Sequence, residues 1–237
     1  MPSAMPNLYK HPRFPGEIIR HAVWRYFRFP LSHRDVGDLL FVRGMSVSSE
    51  AIRTWCRKFG HTYAHPLRRR RPRPGDKSHL DEVFLTITGE RHYLWRAVDQ
   101  DGHVLDMLVQ RCRNKQAAKQ FFRKLLKGLL CIPGVIITDK LKRYGAAKRK
   151  VLPGVEHRQH RDLNNRAENS HQPTRQRERR MQGCKSAGPA QRFLAVYGPI
   201  AQHFRPRRHH LSAPVYRQEM QKRVQMWGEI TGTETVA

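Results

Sequence analysis

Residues 81–109 read DEVFLTITGERHYLWRAVDQDGHVLDMLV, and this stretch decides the fold. Val83, Phe84, Leu85, Thr86 and Ile87 are strand formers, Gly89-Glu90 supplies a turn, and residues 92–98 make a second strand. Asp101-Gly102 marks a hairpin turn before a third strand over 104–109. Downstream, residues 115–130 place Ala118, Phe121, Phe122, Leu125, Leu126 and Leu129 on one side of a helix. Val135-Ile136-Ile137-Thr138 then reads as a short buried parallel strand. The order β-β-β-α-β predicts an α/β domain in which three antiparallel strands lead a parallel one. Residues 190–204 are apolar enough for a further helix.

Upstream, the period changes to that of helices. Ile18, Ile19, Ala22, Val23, Tyr26 and Phe27 form a stripe over 16–29, which Pro30 ends. Ser32 and Asp35 have capping-box spacing, and Gly44 offers a stop where positive φ is tolerated. Ser48 can cap a third helix carrying Ile52, Trp55, Cys56 and Phe59 inward, with Gly60 read as its end. Two short helices joined by a Gly-containing turn fit a helix-turn-helix. The exposed positions of the third helix, Ser49, Arg53, Thr54, Arg57 and Lys58, then face DNA. A plain three-helix bundle with a solvated basic face is the competing reading. Residues 66–76, PLRRRRPRPGD, hold three prolines and five arginines and read as a linker. The expected layout is a helix-turn-helix domain over 1–65, the linker over 66–76, the α/β domain over 77–205 and a tail over 206–237. The tail carries little packing signal and is expected to be disordered.

The chain has 237 residues with 46 Lys and Arg against 19 Asp and Glu, a net charge of +27, which argues against a neutral metabolic enzyme. From 140 to 211 the count is 18 Lys and Arg against 4 acids. The natural partner for such a charge is nucleic acid, whose phosphates release condensed counterions when lysines and arginines neutralise them. Apolar residues at 38% suffice for a core, and aromatics at 9% argue against full disorder. No apolar run is long enough to span a bilayer, and the first residues lack a signal-peptide pattern. The expectation is a soluble intracellular protein with no membrane role. The four cysteines include no C-x-x-C pair, so a zinc ribbon or redox motif is not expected.

In so basic a chain, acids in or beside apolar strands are costly unless they bind something. Asp81 heads the first strand and Asp139 follows the buried strand, where open α/β sheets place ligands. Glu168 lies in NNRAENSH (164–171), read as a helix that Asn164 and Asn165 cap. Carboxylates suit Mg²⁺ or Mn²⁺, and two such ions serve in-line displacement at phosphorus. Glu82 competes with Asp81; Asp99, Asp101 and Asp106 fit turns or a strand face, and Asp162 is a competing acid near Glu168. His171 and Arg175 follow Glu168 by three and seven residues, one and two helical turns.

The stretches HAVWRYFRFPLSHRDV, GDKSHLDEVFLTITGERHYLWRAVDQDGHVLDMLVQ, IITDKLKRYGAAKRKVLPGVEHRQH and LNNRAENSHQPTRQRERRMQ together resemble insertion-sequence transposases of the IS-six (IS-twenty-six) family. The resemblance covers roughly residues 13 to 204. It implies an RNase H-like catalytic domain with a D…D…E triad, which the motifs place at Asp81, Asp139 and Glu168. It implies two Mg²⁺ (or Mn²⁺) ions, double-stranded DNA as element end and target, and a homodimer or higher oligomer on DNA. Arg175 stands where relatives carry a basic residue thought to contact DNA, and His171 is a supporting residue for Glu168 or a phosphate. The implied function is binding of terminal inverted repeats, strand cleavage and 3′-OH strand transfer, in the cytoplasm at the nucleoid of a prokaryote. The alternative is a non-catalytic DNA-binding regulator or degenerate transposase. The chain departs from many relatives in its 28-residue Asp139–Glu168 spacer, in Ser78, where relatives often carry Trp, and in Pro173.

Overall fold

The computed structural model describes residues 9, 13–70, 75–128, 132–139, 142–159, 164, 167, 171, 184–206 and 211–232. The chain divides into two compact units, one of residues 1–71 with 196–237 and one of residues 72–195.

The helical unit holds α1 (Gly16–Arg28), α2 (His33–Phe41) and α3 (Ser49–Arg69). Ser32 forms the expected capping box: its hydroxyl accepts from the Asp35 amide, and the Asp35 carboxylate accepts from the Ser32 amide. Gly44 sits at φ +76° in the turn before α3, where a side chain would be strained. Ile19, Val23, Val36, Leu40, Ile52 and Phe59 are all buried at the centre.

Three expectations fail here. Gly60 does not end α3, which runs on to Arg69 because Tyr63, Ala64 and Leu67 continue the buried stripe. A Cβ at Gly60 would stand 2.9 Å from Val196 Cγ1 and 3.3 Å from a Phe27 ring carbon, so the glycine permits close packing rather than a stop. The linker's first half is thus helical, with Pro66 inside it. The region read as a disordered tail contains a helix, α7 (Ala213–Thr231), after α6 (Ala187–His203). Only the end of α7 is buried, at Trp227, Gly228, Ile230 and Thr231. Trp227 packs edge-on against Tyr63 and Phe204, with ring centroids 5.2 and 5.5 Å away. Tyr63 donates to the Tyr9 hydroxyl (2.6 Å), which donates to the Thr231 carbonyl. A weak local period gains its order from these tertiary partners.

Burial first, then Arg25, Arg43 and Arg20, hold the His21 imidazole down at about 4. From pH 6.5 to 4 the unfolded chain takes up a proton that the folded unit refuses, so stability falls as pH drops through that window. His21→Gln is expected to remove about 1–2 kcal/mol of that loss, a figure reduced for the ring's partial exposure. Urea melts at the two ends of the window measure it.

The sheet unit contains β1 (Lys77–Ile87), β2 (Glu90–Asp99), β3 (Val104–Gln110), α4 (Lys115–Gly128), β4 (Val135–Thr138), α5 (Lys142–Val151) and β5 (Glu156–Gln159). The five strands run in the order β3-β2-β1-β4-β5. β2 runs antiparallel to both β1 and β3, while β4 lies parallel to β1 and β5 parallel to β4. This is the RNase H-like α/β layout expected above. β5 escapes the sequence reading because Glu-His-Arg-Gln shows no apolar alternation; its place comes from pairing with β4. On one face of the sheet α4 and α5 bury Leu80, Trp95, Ala97, Phe121, Phe122, Ile136 and Tyr144. Among the described residues no helix is long and apolar enough to cross a membrane.

Candidate active site

β1 and β4 pair from Lys77 with Val135 to His79 with Ile137. Carried on two residues, this register sets Asp81 level with Asp139, on strands about 4.8 Å apart. Asp139 immediately follows β4, half-buried at the strand's carboxyl end, and the Asp81 side chain is 17% exposed. Tyr144 on α5, fully buried, senses both. Its phenol is held far above its ordinary range by burial and by Glu82, with Asp81 and Asp139 adding to the effect. The tyrosine is therefore a fixed O–H donor.

Asp81 and Glu82, adjacent on β1, belong to opposite faces of the sheet. Cross-strand pairing aligns Glu82 with Trp95 and Leu80 with Ala97, so Glu82 shares the face covered by α4 and α5. There its fully buried carboxylate accepts from Arg113 Nε (2.6 Å) and from the Tyr144 hydroxyl. Burial nevertheless raises the Glu82 pKa, and Asp139 is among the charges that raise it further. Asp81 points the other way and approaches His171, whose Nε2 lies 3.4 Å from Asp81 Oδ2. Asn164 Nδ2 donates to the Leu80 carbonyl (2.9 Å), pinning that segment to β1 one residue from Asp81. Both Asn164 and His171 are buried. Glu168, Asn165 and Arg175 lie outside the described residues.

Four site neighbours escaped the sequence reading: Tyr144, Arg113, Thr138 and His157. Thr138, Tyr144 and His157 lie within a stretch that carries the resemblance and Arg113 lies outside it, but each acquires its role through strand and helix packing. Thr138 Oγ1 donates to the Asp139 carbonyl (2.8 Å) and lies 2.9 Å from His157 Nε2. With its one hydrogen so used, the hydroxyl accepts from the imidazole Nε2–H. This chain fixes the peptide that carries Asp139 against β5. Thr138→Val is expected to destabilise the unit by about 0.5–1.5 kcal/mol, because it removes the partner of a half-buried imidazole donor. Thr138→Ser restores it, and denaturant melts of both check the point.

Asp99 and Asp106 fill structural roles, while Asp162 lies outside the described residues. Asp99 Oδ1 accepts from the amides of Asp101 and His103, and Oδ2 lies 3.2 Å from His103 Nδ1. These three side chains come within metal-binding distance of one another, yet the Asp99 carboxylate serves the turn's backbone. Asp106 pairs with Lys124. On α3, in the helical unit, Ser49, Arg53, Thr54, Arg57 and Lys58 are all exposed, as expected. Arg53, however, is bridged to Glu50 by two contacts of 2.8 and 2.6 Å.

Comparison with known proteins gives the family. A family model described as a DDE domain, of the IS240 transposase type, matches residues 75–207, more than half of the chain. A transposase for insertion sequence-like element IS431mec from Staphylococcus aureus (strain N315) is 28% identical over 186 residues, covering 76% of this chain and 83% of that one. The transposase for insertion sequence element IS257 in transposon Tn4003, also from Staphylococcus aureus, matches to the same extent. Among solved structures, a chain in the CryoEM structure of simian T-cell lymphotropic virus intasome in complex with PP2A regulatory subunit B56 gamma overlays with a TM-score of 0.34. That chain is 14% identical and covers 59% of this chain and 53% of itself, a likeness too loose to bear on the fold. The chain belongs to the DDE-domain transposases, in the IS-six family. It is a DNA transposase, an enzyme of phosphodiester cleavage and joining that depends on a divalent metal and acts on DNA.

Proposed function

We propose that Asp81, Asp139 and Glu168 form the catalytic triad and hold two Mg²⁺ or Mn²⁺ ions. The observation that carries this is the register that levels Asp81 with Asp139, with Tyr144 sensing both charges. Hard carboxylate oxygens, partly exposed beside each other at a strand's carboxyl end, fit a hard divalent cation. When bound, the ions supply activation of the attacking oxygen and stabilisation of the leaving one. The chain's own residues hold and orient. Thr138 and His157 fix the Asp139 peptide, and Glu82 with Arg113 and Tyr144 stiffens β1 beneath Asp81. His171, close to Asp81 and three residues after Glu168 in sequence, orients the acids.

Water attacks the phosphodiester at each element end: a new P–O bond forms, the bond to the 3′ oxygen breaks, and a 3′-OH is freed. That 3′-OH then attacks a target phosphodiester, displacing the target's 3′ oxygen. No covalent protein intermediate is needed, because at phosphorus positioning and charge stabilisation supply most of the gain. The protein works in the prokaryotic cytoplasm at the nucleoid, as a homodimer or larger assembly that brings two ends together. A regulator without chemistry would have no reason to level two carboxylates on adjacent strands. Incubation with an end-containing oligonucleotide and Mg²⁺ tests the reading: nicked and joined products are expected, and a protein that binds the ends but yields neither overturns it.

The α2–α3 pair acts as the helix-turn-helix that reads the terminal repeats, with Arg175 touching DNA near the cleavage site. Arg57 carries no ion pair among the described residues, whereas Arg53 must leave Glu50 to meet a phosphate. That exchange costs little, since exposed bridges are weak. Arg57→Ala with Arg53→Ala is expected to lower repeat affinity about tenfold and the salt slope by about one to two. Shift assays over a salt series check both numbers.

A further inference from the structure

We propose that the outer face of α4, with the end of α5, is a second DNA-binding surface that grips a duplex by its phosphates alone and serves the target DNA. This rests on the transposase reading above. α4 buries Ala117, Ala118, Phe121, Phe122 and Leu125 and turns Lys115, Lys119, Arg123 and Lys127 outward. These four recur every fourth residue, so they form one inclined ridge, a ladder that rises about 6 Å and winds about 40° round the helix at each step, about 18 Å along the axis in all. Arg149 and Lys150, at the end of α5, are also exposed. Lys119, Lys115, Arg123 and Lys150 lie close enough to feel one another: the Lys119 pKa is lowered by partial burial first and then by these three cations.

Nothing in the fold asks for this arrangement. Like charges four residues apart weaken a helix. Lys115 stands at the helix's positive end, and the first turn holds no acid. An outer face that served solubility alone would interleave signs. Lys124, one position off the ladder, shows what a structural lysine does here: it pairs with Asp106 and donates to the Met107 carbonyl. Among the described residues no ladder cation has an ion-pair partner. A row of cations without a matching anion fits a polyanion.

The kind of DNA follows from chemistry and place. Lysines meet phosphates as point charges and carry no base information. An element end must be read by its sequence, whereas a target need not be. The ladder also begins beside the candidate site, since Arg113, two residues before Lys115, bonds Glu82 and feels the charge of Asp139.

The test uses the full-length protein with Lys115→Gln, Lys119→Gln, Arg123→Gln and Lys127→Gln combined. Binding to a repeat-free duplex is followed from about 50 to 200 mM KCl, where four lost phosphate contacts make the salt slope shallower by about three to four. With pre-cleaved element ends, joining into target falls about tenfold at the upper salt, while cleavage of uncut ends stays at the wild-type level. A control with Arg111→Gln and Arg158→Gln, cations already paired with Glu90 and Glu156, leaves the slope unchanged. An unchanged slope and unchanged joining in the ladder variant overturn the proposal, as does an equal loss of end cleavage. If the combined variant does not fold, Lys119→Gln and Arg123→Gln made singly each reduce the slope by about one; no change in either again overturns it. Wild-type protein that neither cleaves nor joins would instead defeat the transposase mechanism itself.

Discussion

Asp139→Asn is expected to reduce strand cleavage and joining by at least about a thousandfold, with binding to the element ends nearly unchanged. The side chain keeps its size and loses only its charge, so the Thr138 contact to the Asp139 carbonyl survives. The metal-free variant should also be as stable as the parent or slightly more so. Asp139 sits among carboxylates, and its charge helps to raise the pKa of Glu82. Removing one of several crowded anions relieves repulsion in the folded state. A variant that still joins ends removes Asp139 from the triad. A variant inactive only because it has unfolded is recognised by its melting curve. Asp81→Asn should match it in activity, whereas Glu82→Gln should act mainly on stability, since its carboxylate is committed to Arg113 and Tyr144.

Trp95→Ala should cost about 3–5 kcal/mol of stability in the sheet unit. Trp95 is fully buried at the centre of β2, 5.5 Å edge-on from the Tyr144 ring and 6.0 Å from Phe121. Its loss opens a cavity beneath β1, where Glu82 pairs with it in register. Because Tyr144 loses a packing wall, the loss should extend to activity at temperatures where the variant is still folded. Chemical denaturation followed by far-UV circular dichroism measures the first effect, and initial rates of end cleavage measure the second. A stability change below about 1 kcal/mol would mean that the core collapses around the gap.

Much of the sheet was legible because strands that bury one face must alternate, and tight turns demand particular residues. Gly89 and Gly102 adopt the positive φ that their turns require, at +78° and +80°. The capping box at Ser32 was equally readable, being a contact between residues three apart. The proposed triad draws on motif resemblance, and the structure adds a register that levels Asp81 with Asp139. What stayed hidden depended on distant partners. β5 has no pattern of its own and exists because β4 offers an open edge. Gly60 looked like a helix end, but its neighbours in space are Phe27 and Val196. The last helix has few buried residues, and its order comes from Tyr63, Phe204 and Tyr9.

The sequence by itself determined the partner class, through a charge that only a polyanion can balance, and the order of strands and helices, through local periodicity. Tertiary structure alone decided which of two adjacent acids on β1 is spoken for. Neighbouring residues on a strand point to opposite faces, and only the packing of α4 and α5 tells which face is filled. It likewise decided that α4's cations form one continuous row on an open surface. Side chains far apart along a chain acquire meaning together only when the backbone has placed them.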